Sequence, residues 1–258
     1  MVSATWLTGG ETVRGASHQV DGRPNQDAIA VARAPVPVVA VADGHGSLDC
    51  VRSDVGSAIA VAVAVETLPA FLGAALDDEP LRAALADRIV GTWTERVRAH
   101  FAANPFTDAE RDVVLEDPLL AYGATLIAIA VDEAAMLGLQ IGDGDLLLRD
   151  GRTQRVFARD PRFVMNETTS LCLPDARAEV RTVRRPVGPG ALLIAATDGY
   201  ANSFVSDPDF IQIADDYAAM IEENGFEGVL ERLPTILAET TRDGSGDDIT
   251  VGILYRDR

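Results

Sequence analysis

Three aspartates stand where apolar runs stop or start. VVAVADGHGS at 38–47 closes a Val/Ala run on Asp43, followed by Gly44, His45 and Gly46; LLIAATDGY at 192–200 closes on Asp198; and GSGDDITVGIL at 244–254 sets Asp247 just ahead of a run. Carboxylates at the open ends of buried strands are held firmly yet stay reachable, and the glycines let the backbone turn and bring a carbonyl close to whatever Asp43 holds. Such oxygen donors suit hard divalent cations, Mg²⁺ or Mn²⁺. Zinc would recruit His or Cys, and the three histidines, at 18, 45 and 100, form no helical H-x-x-x-H pair. Two cations about 3.5 to 4 Å apart hold and activate a water and stabilise the oxygens of a phosphoryl group in an in-line displacement, with a nearby His as proton donor. For any one Asp-Gly pair, the commoner explanation is a turn or a helix cap.

The elements that must position these acids are read from periodicity. Strands are expected at roughly 4–14, 27–33 and 36–42, from β-branched content bounded by Gly, Pro or Asp, and helices at about 50–72 and 79–103. TLIAIAVD, MLGLQIGDGD and DLLLRDG then read as successive strands of a meander joined by tight turns. The stretch 150–190 is polar with few continuous apolar runs, while 208–240 has helical spacing and leads into a closing strand at 249–255. Strands and helices segregate along the chain, which favours an α+β fold in one domain, 1–258, over alternating βαβ units.

Composition excludes several partners. With 47% hydrophobic and 24% charged residues the chain can bury a sizeable core, and a formal net charge of -18 disfavours nucleic acid and anionic lipid. Cys50 and Cys172 are too few for a disulfide framework, and the first thirty residues lack the basic-then-apolar pattern of a secretory signal, so a cytoplasmic location is expected. The most membrane-like segment, 55–76, carries Glu66 and Pro69 and reads as a buried helix, not a span.

In order along the chain, NQDA at 25–28, VADGHGS at 41–47, YGATLIAI at 122–129, IGDGD at 141–145, LLIAATDGY at 192–200 and GSGDDITV at 244–251 resemble the motifs of the metal-dependent protein serine/threonine phosphatases, the PPM or type 2C family, in a divergent bacterial branch. The resemblance implies a four-layer α/β/β/α sandwich of two antiparallel sheets flanked by helices, with two Mn²⁺ or Mg²⁺ ions between them. It implies direct attack of a water bridging the two ions on a phosphoserine or phosphothreonine ester, with no phosphoenzyme. By position, Asp43 resembles the carboxylate bridging both ions, and Gly44 the residue whose carbonyl binds one of them. Asp198 and Asp247 match ligands of the other. Asp27 matches the second acid of an N-terminal pair that orients metal-bound water, Gln26 stands where a Glu is usual, His45 matches the general acid, and Asp143 an acid that helps bind a third, weaker metal.

The departures are specific. The family's usual phosphate-binding arginine falls at Gly22, leaving Arg23 and His18 as candidate phosphate donors, and a one-residue displacement in an extended segment reverses a side chain's direction. Asn202 stands where a second acid for the third metal is common, so that site is expected to be weak or empty. Asp143 and Asp145 read equally as metal ligands or as a polar turn, Asp248 as shaping the turn beside Asp247, and His100 as surface. The partner implied is a phosphoprotein, a serine/threonine kinase or its target. Two other readings remain: a regulatory module that binds a phosphorylated partner without turnover, and a small-molecule phosphatase with the same core chemistry.

Overall fold

In the computed structural model, which describes residues 5–73, 79–114, 117–162 and 168–257, the chain forms two five-stranded antiparallel sheets. In chain order the elements are β1 (Trp6–Val13), α1 (Ala16–Asp21), β2 (Ala28–Ala32), β3 (Val38–Ala42), α2 (Ser53–Thr67), α3 (Glu79–Ala103), α4 (Asp108–Val113), β4 (Leu126–Val131), β5 (Ala135–Ile141), β6 (Asp145–Asp150), β7 (Arg152–Arg155), α5 (Ala176–Glu179), β8 (Arg181–Pro186), β9 (Leu192–Ala196), α6 (Asp198–Ala201), α7 (Asp207–Asp243) and β10 (Ile249–Arg256). One sheet runs β1-β10-β9-β6-β7 and the other β2-β3-β4-β5-β8.

Alternation along the strands sorts the apolar residues into three packed interfaces. In β3, Val38, Ala40 and Ala42 join the cluster under α2 and α3, whereas Val39 and Val41 enter the interface between the sheets. In β4, Leu126, Ala128 and Ala130 face the same helices, and Ile127, Ile129 and Val131 turn to the other sheet. In β9, Leu192, Ile194 and Ala196 pack toward α7 while Leu193 and Ala195 turn inward. The order is therefore helices, sheet, sheet, helices. Alanines on the helix-facing side let α2 come close, and a Cβ on Gly56 would overlap the Tyr122 carbonyl oxygen. Ser53–Phe71 is long and apolar enough to cross a membrane by length and composition; here it packs against β2, β3, β4 and α3, and the Trp93 indole donates to Gly56 O at 3.0 Å.

The expected meander does not form. β4 and β5 pair as a hairpin, but β6 leaves for the other sheet and pairs with β7 and β9. The crossing uses Gly142 at φ +102, a conformation other residues rarely adopt, and Gly144, where a Cβ would lie 2.7 Å from the Ala196 carbonyl oxygen. The helix expected over 208–240 spans Asp207–Asp243 with a break at Gly225 (φ 74, ψ 165), and that over 50–72 is Ser53–Thr67 followed by a 3-10 turn, Leu68–Phe71. The polar stretch 150–190 contains β7, α5 and β8. Its residues 163–167, residue 4 of the first expected strand and residues 74–76 of the apolar segment lie outside the described residues.

Arg52 anchors the loop that follows Asp43. Its guanidinium donates to Glu110 Oε1 at 2.7 Å and Oε2 at 3.0 Å, to Tyr122 OH at 2.8 Å and to the carbonyls of Asn104 and Pro105, over the Phe106 ring. Tyr122 OH also meets His100 Nδ1 at 2.8 Å, so His100, expected at the surface, is partly buried. Glu110 closes a capping box on α4 with Thr107, and the Arg52 hydrogen bonds bring its carboxyl down to about 2. Arg52→Ala is expected to cost about 1.5 to 3 kcal/mol, seen as a lower melting temperature. In the wild type the Glu110 share of this is present above its ordinary value of 4.5 and is lost as the pH falls through about 2. Equal melting of both proteins at neutral pH would remove Arg52 from this role.

Candidate active site

Acids from five separate turns meet at one end of the sandwich. Asp43 follows β3 and Asp198 follows β9, Asp27 and Asp247 lie just before β2 and β10, and Asp143 fills the crossing between β5 and β6. In an antiparallel pair the end of one strand adjoins the start of its neighbour, so β3 with β2 and β9 with β10 deliver their acids to the same edge.

Burial, and then the charges of Asp27, Asp198, Asp247 and Asp143, holds the Asp43 carboxyl well above the ordinary carboxylate range. Burial likewise pushes Asp27 up to about 8, although Thr197 Oγ1 donates to it at 2.7 Å. Asp198 is pushed up to about 6 by burial and by Asp143 and Asp247, while a hydrogen bond from Asp43 and one from Asn202 Nδ2, at 2.9 Å, pull it back. Burial raises Asp143 too, with Asp145 adding to it. Carboxyls this crowded need compensating positive charge to ionise. The donor set is oxygen only, and Gln26 Oε1 is buried there without a hydrogen-bond partner. These residues fit hard divalent cations.

Gln26 ties the site together. Its Nε2 donates to His45 O at 3.0 Å and Ser53 Oγ at 2.6 Å, its backbone N–H donates to Asp248 Oδ2 at 2.7 Å, and its carbonyl accepts from Gly44 N at 3.1 Å. A glutamate cannot donate to His45 O, which gives this chain's amide a reason. Metal-free Gln26→Glu is therefore expected to be less stable by about 1 to 3 kcal/mol. Its added negative charge should also make the Mn²⁺-induced rise in melting temperature larger than in the wild type. A rise no larger than the wild type's in a calorimetric scan would exclude the second effect.

The tightest group of potential ligands among the described residues is His18, Asp247 and Asp248, with ligand atoms within 4.8 Å of one another. Asp248 is nevertheless spent on the backbone: Oδ1 accepts from Gly15 N at 2.6 Å and Oδ2 from Gln26 N. His18 Nδ1 comes within 3.0 Å of Asp248 Oδ1 but lacks hydrogen-bond alignment, and its Nε2 lies 3.4 Å from Asp247 Oδ1. His18, at 5% exposure, thus faces the loop that carries these acids. The structure clamps Gly15 and Gln26 through Asp248, a long-range role that no local spacing in the sequence signals.

Arg23 takes a more open position. Its NH1 lies 3.7 Å from where a Cβ on Gly46 would sit, and its 3.2 Å pair with Asp21 is exposed. Gly22 has φ 74 and closes α1, so an arginine at that position would meet a left-handed backbone. His45 N donates to Gly123 O at 3.0 Å, and burial lowers the imidazole below its ordinary value, Asp49 pulling it back. Asp145 is buried and paired to Arg155 and Arg159, which also reach Asp207; this network joins β6, β7 and α7 and was not expected from the sequence. Cys50 and Cys172 are free and buried.

A family model described as Protein phosphatase 2C matches residues 14–238. The chain belongs to the protein phosphatase 2C family. The matched stretch contains Asp27, Asp43, Asp143 and Asp198, and Asp247 lies beyond it. Solved structures with the phosphatase 2C fold align along nearly the whole chain. The catalytic domain of the serine/threonine phosphatase PstP in complex with two manganese ions is 19% identical with a TM-score of 0.64, covering 99% of this chain and 100% of that one. A second structure of PstP/Ppp, from Mycobacterium tuberculosis, gives 18%, 0.64, 98% and 99%. The S. agalactiae serine/threonine phosphatase gives 18%, 0.61, 98% and 100%. Comparison with curated proteins finds no match. At these identities the solved structures speak for the phosphatase 2C fold alone.

Proposed function

We propose that the chain hydrolyses phosphoserine and phosphothreonine esters of phosphoproteins, in the cytoplasm and in opposition to a serine/threonine kinase. The observation that carries this reading is the crowding of Asp27, Asp43, Asp143, Asp198 and Asp247, whose carboxyls repel one another. In it, Asp43, the Gly44 carbonyl, Asp198 and Asp247 would hold the divalent cations. Two bound Mn²⁺ or Mg²⁺ ions supply Lewis acidity that activates water and offsets the charge on phosphoryl oxygens. Asp27 and the free Oε1 of Gln26 orient water at the site. His45 passes a proton to the leaving oxygen; because burial keeps the ring neutral more readily than in water, it must take that proton up first. Arg23 donates to the phosphoryl oxygens in place of the absent side chain at 22. Asn202, bonded to Asp198, adds no acid for a third cation beside Asp143.

The test is hydrolysis of an aryl phosphate and of phosphopeptides with Mn²⁺, Mg²⁺ or chelator. Turnover that needs the cation is expected, and Arg23→Ala should raise KM about tenfold with kcat little changed. Gly22 favours a second reading, a regulatory module that binds a phosphorylated partner. Cation-dependent phosphopeptide binding with no turnover would replace the first reading by the second.

A further inference from the structure

The first turn of α1 lies directly on the loop that carries Asp247. Gly15 N donates to Asp248 Oδ1 and Ser17 N to Gly246 O at 2.9 Å, while Thr241 Oγ1 accepts from Ala16 N at 3.1 Å and donates to Asp247 O at 2.7 Å. Gly15 permits this approach, since a Cβ there would overlap Gly246 O and the Asp247 carbonyl carbon. The His18 carbonyl is fixed as well, accepting from Arg14 Nη2 at 2.7 Å and from Arg23 N at 3.0 Å. A backbone with little freedom to withdraw therefore presents the His18 ring to Asp247 and Asp248.

Of the five clustered acids, Asp247 is the exposed one, with 52% of its side chain open to solvent. Its backbone is tied through Thr241 and through Ser245 Oγ, which accepts from Asp247 N at 3.2 Å. Its side chain is held at Oδ1, which accepts from Asp248 N at 2.9 Å and faces His18 Nε2 at 3.4 Å. Oδ2 takes part in neither contact. A carboxylate free to rotate in water gives up that freedom when it binds a metal, and a neighbour that holds it beforehand lowers the cost. Packing alone does not account for the histidine. Its Nδ1 is buried without a hydrogen-bond partner, a cost that an aliphatic side chain in the same place would avoid. Both ring nitrogens face the two aspartates, so His18 is not placed to donate to a phosphoryl group.

We propose that His18 is a positioning residue: through Nε2 it holds Asp247 Oδ1 and so presents Oδ2 to a divalent cation. This rests on the reading above in which Asp247 is a cation ligand. The test is titration calorimetry of the full chain with Mn²⁺. His18→Ala should weaken Mn²⁺ binding about tenfold. His18→Gln, whose amide nitrogen reaches about as far as Nε2, should recover most of the affinity, and His18→Asn, whose amide nitrogen stands near the Nδ1 position, should not. In an Asp247→Ala background, His18→Ala should add no further loss. The Mn²⁺ concentration for half-maximal turnover should rise in His18→Ala, while KM for a phosphopeptide at saturating Mn²⁺ stays at the wild-type value. A merely structural histidine would lower the melting temperature without separating the Gln and Asn variants in Mn²⁺ affinity. Equal affinity of those two variants overturns the proposal, as does an undiminished loss in the Asp247→Ala background; a raised KM at saturating Mn²⁺ would make His18 a phosphate donor instead. The two readings fail separately. Wild-type Mn²⁺ affinity in Asp247→Ala would remove Asp247 from the cation site and His18 with it, whereas loss in Asp247→Ala with none in His18→Ala would leave the cation site standing and remove His18 alone.

Discussion

Asp43→Asn is expected to raise the melting temperature of the metal-free protein while removing its stabilisation by Mn²⁺ and lowering turnover at least about a hundredfold. The amide keeps the shape, can still donate to Asp198 and stays neutral at every pH, at a position where burial and the charges of Asp27, Asp198, Asp247 and Asp143 all oppose ionisation. Stability gained where function is lost follows when a site holds like charges together for a ligand's sake. The same crowding sets a pH dependence. Asp27 moves from 3.8 to about 8 and Asp198 from 3.8 to about 6, so the unfolded chain releases these protons at lower pH than the folded one. Metal-free protein should therefore lose stability as the pH rises from about 4 to about 8, and saturating Mn²⁺ should flatten that slope. Melting curves across this range, with chelator or Mn²⁺, decide it. Metal-free Asp43→Asn melting below the wild type would contradict the electrostatic account.

A comparable effect is expected at a residue with no side chain. A Cβ on Gly199 would overlap the Asp248 carbonyl oxygen and lie 3.3 Å from Asp247 Cβ. Asp248 in turn holds the backbones of Gly15 and Gln26, so the loop cannot yield without moving acids from three turns. Gly199→Ala should cost about 1 to 3 kcal/mol by overpacking and should weaken Mn²⁺ binding, measured by titration calorimetry. Destabilisation with wild-type Mn²⁺ affinity would mean that the loop gives way without disturbing its acids.

The strands that carry the acids were legible because they are buried on both sides: VVAVA and LLIAA are apolar at every residue, and each ends on a carboxylate. α3 was legible for its length and its alanines. β8 was not, since RTVRRP has three arginines, and it is a strand because β5 offers it an edge to pair with. The false meander has the opposite cause. Its strands exist, but local sequence does not say which sheet a strand joins, and Gly142 reads equally as a tight turn or as a crossing. The acids themselves were visible one at a time; the clamp from Asp248 to Gly15 and Gln26 spans more than 200 residues and leaves no local trace.

The position of β10 has a consequence for synthesis on the ribosome. It pairs with β1 on one side, Val13 opposite Ile249 and Trp6 opposite Arg256, and with β9 on the other, so the strand made last is an inner strand of its sheet. Until it emerges, β1 has no neighbour in that sheet and β9 keeps an open edge. At about 5 to 20 residues per second, translating the stretch from Val13 to Ile249 leaves β1 waiting for roughly 10 to 50 s. Both edges are templates for pairing with another chain during that interval. Asp247, two residues ahead of β10, arrives at the same late moment, so a nascent chain is without the complete acid cluster and binding of divalent cations can stabilise only the finished sheet.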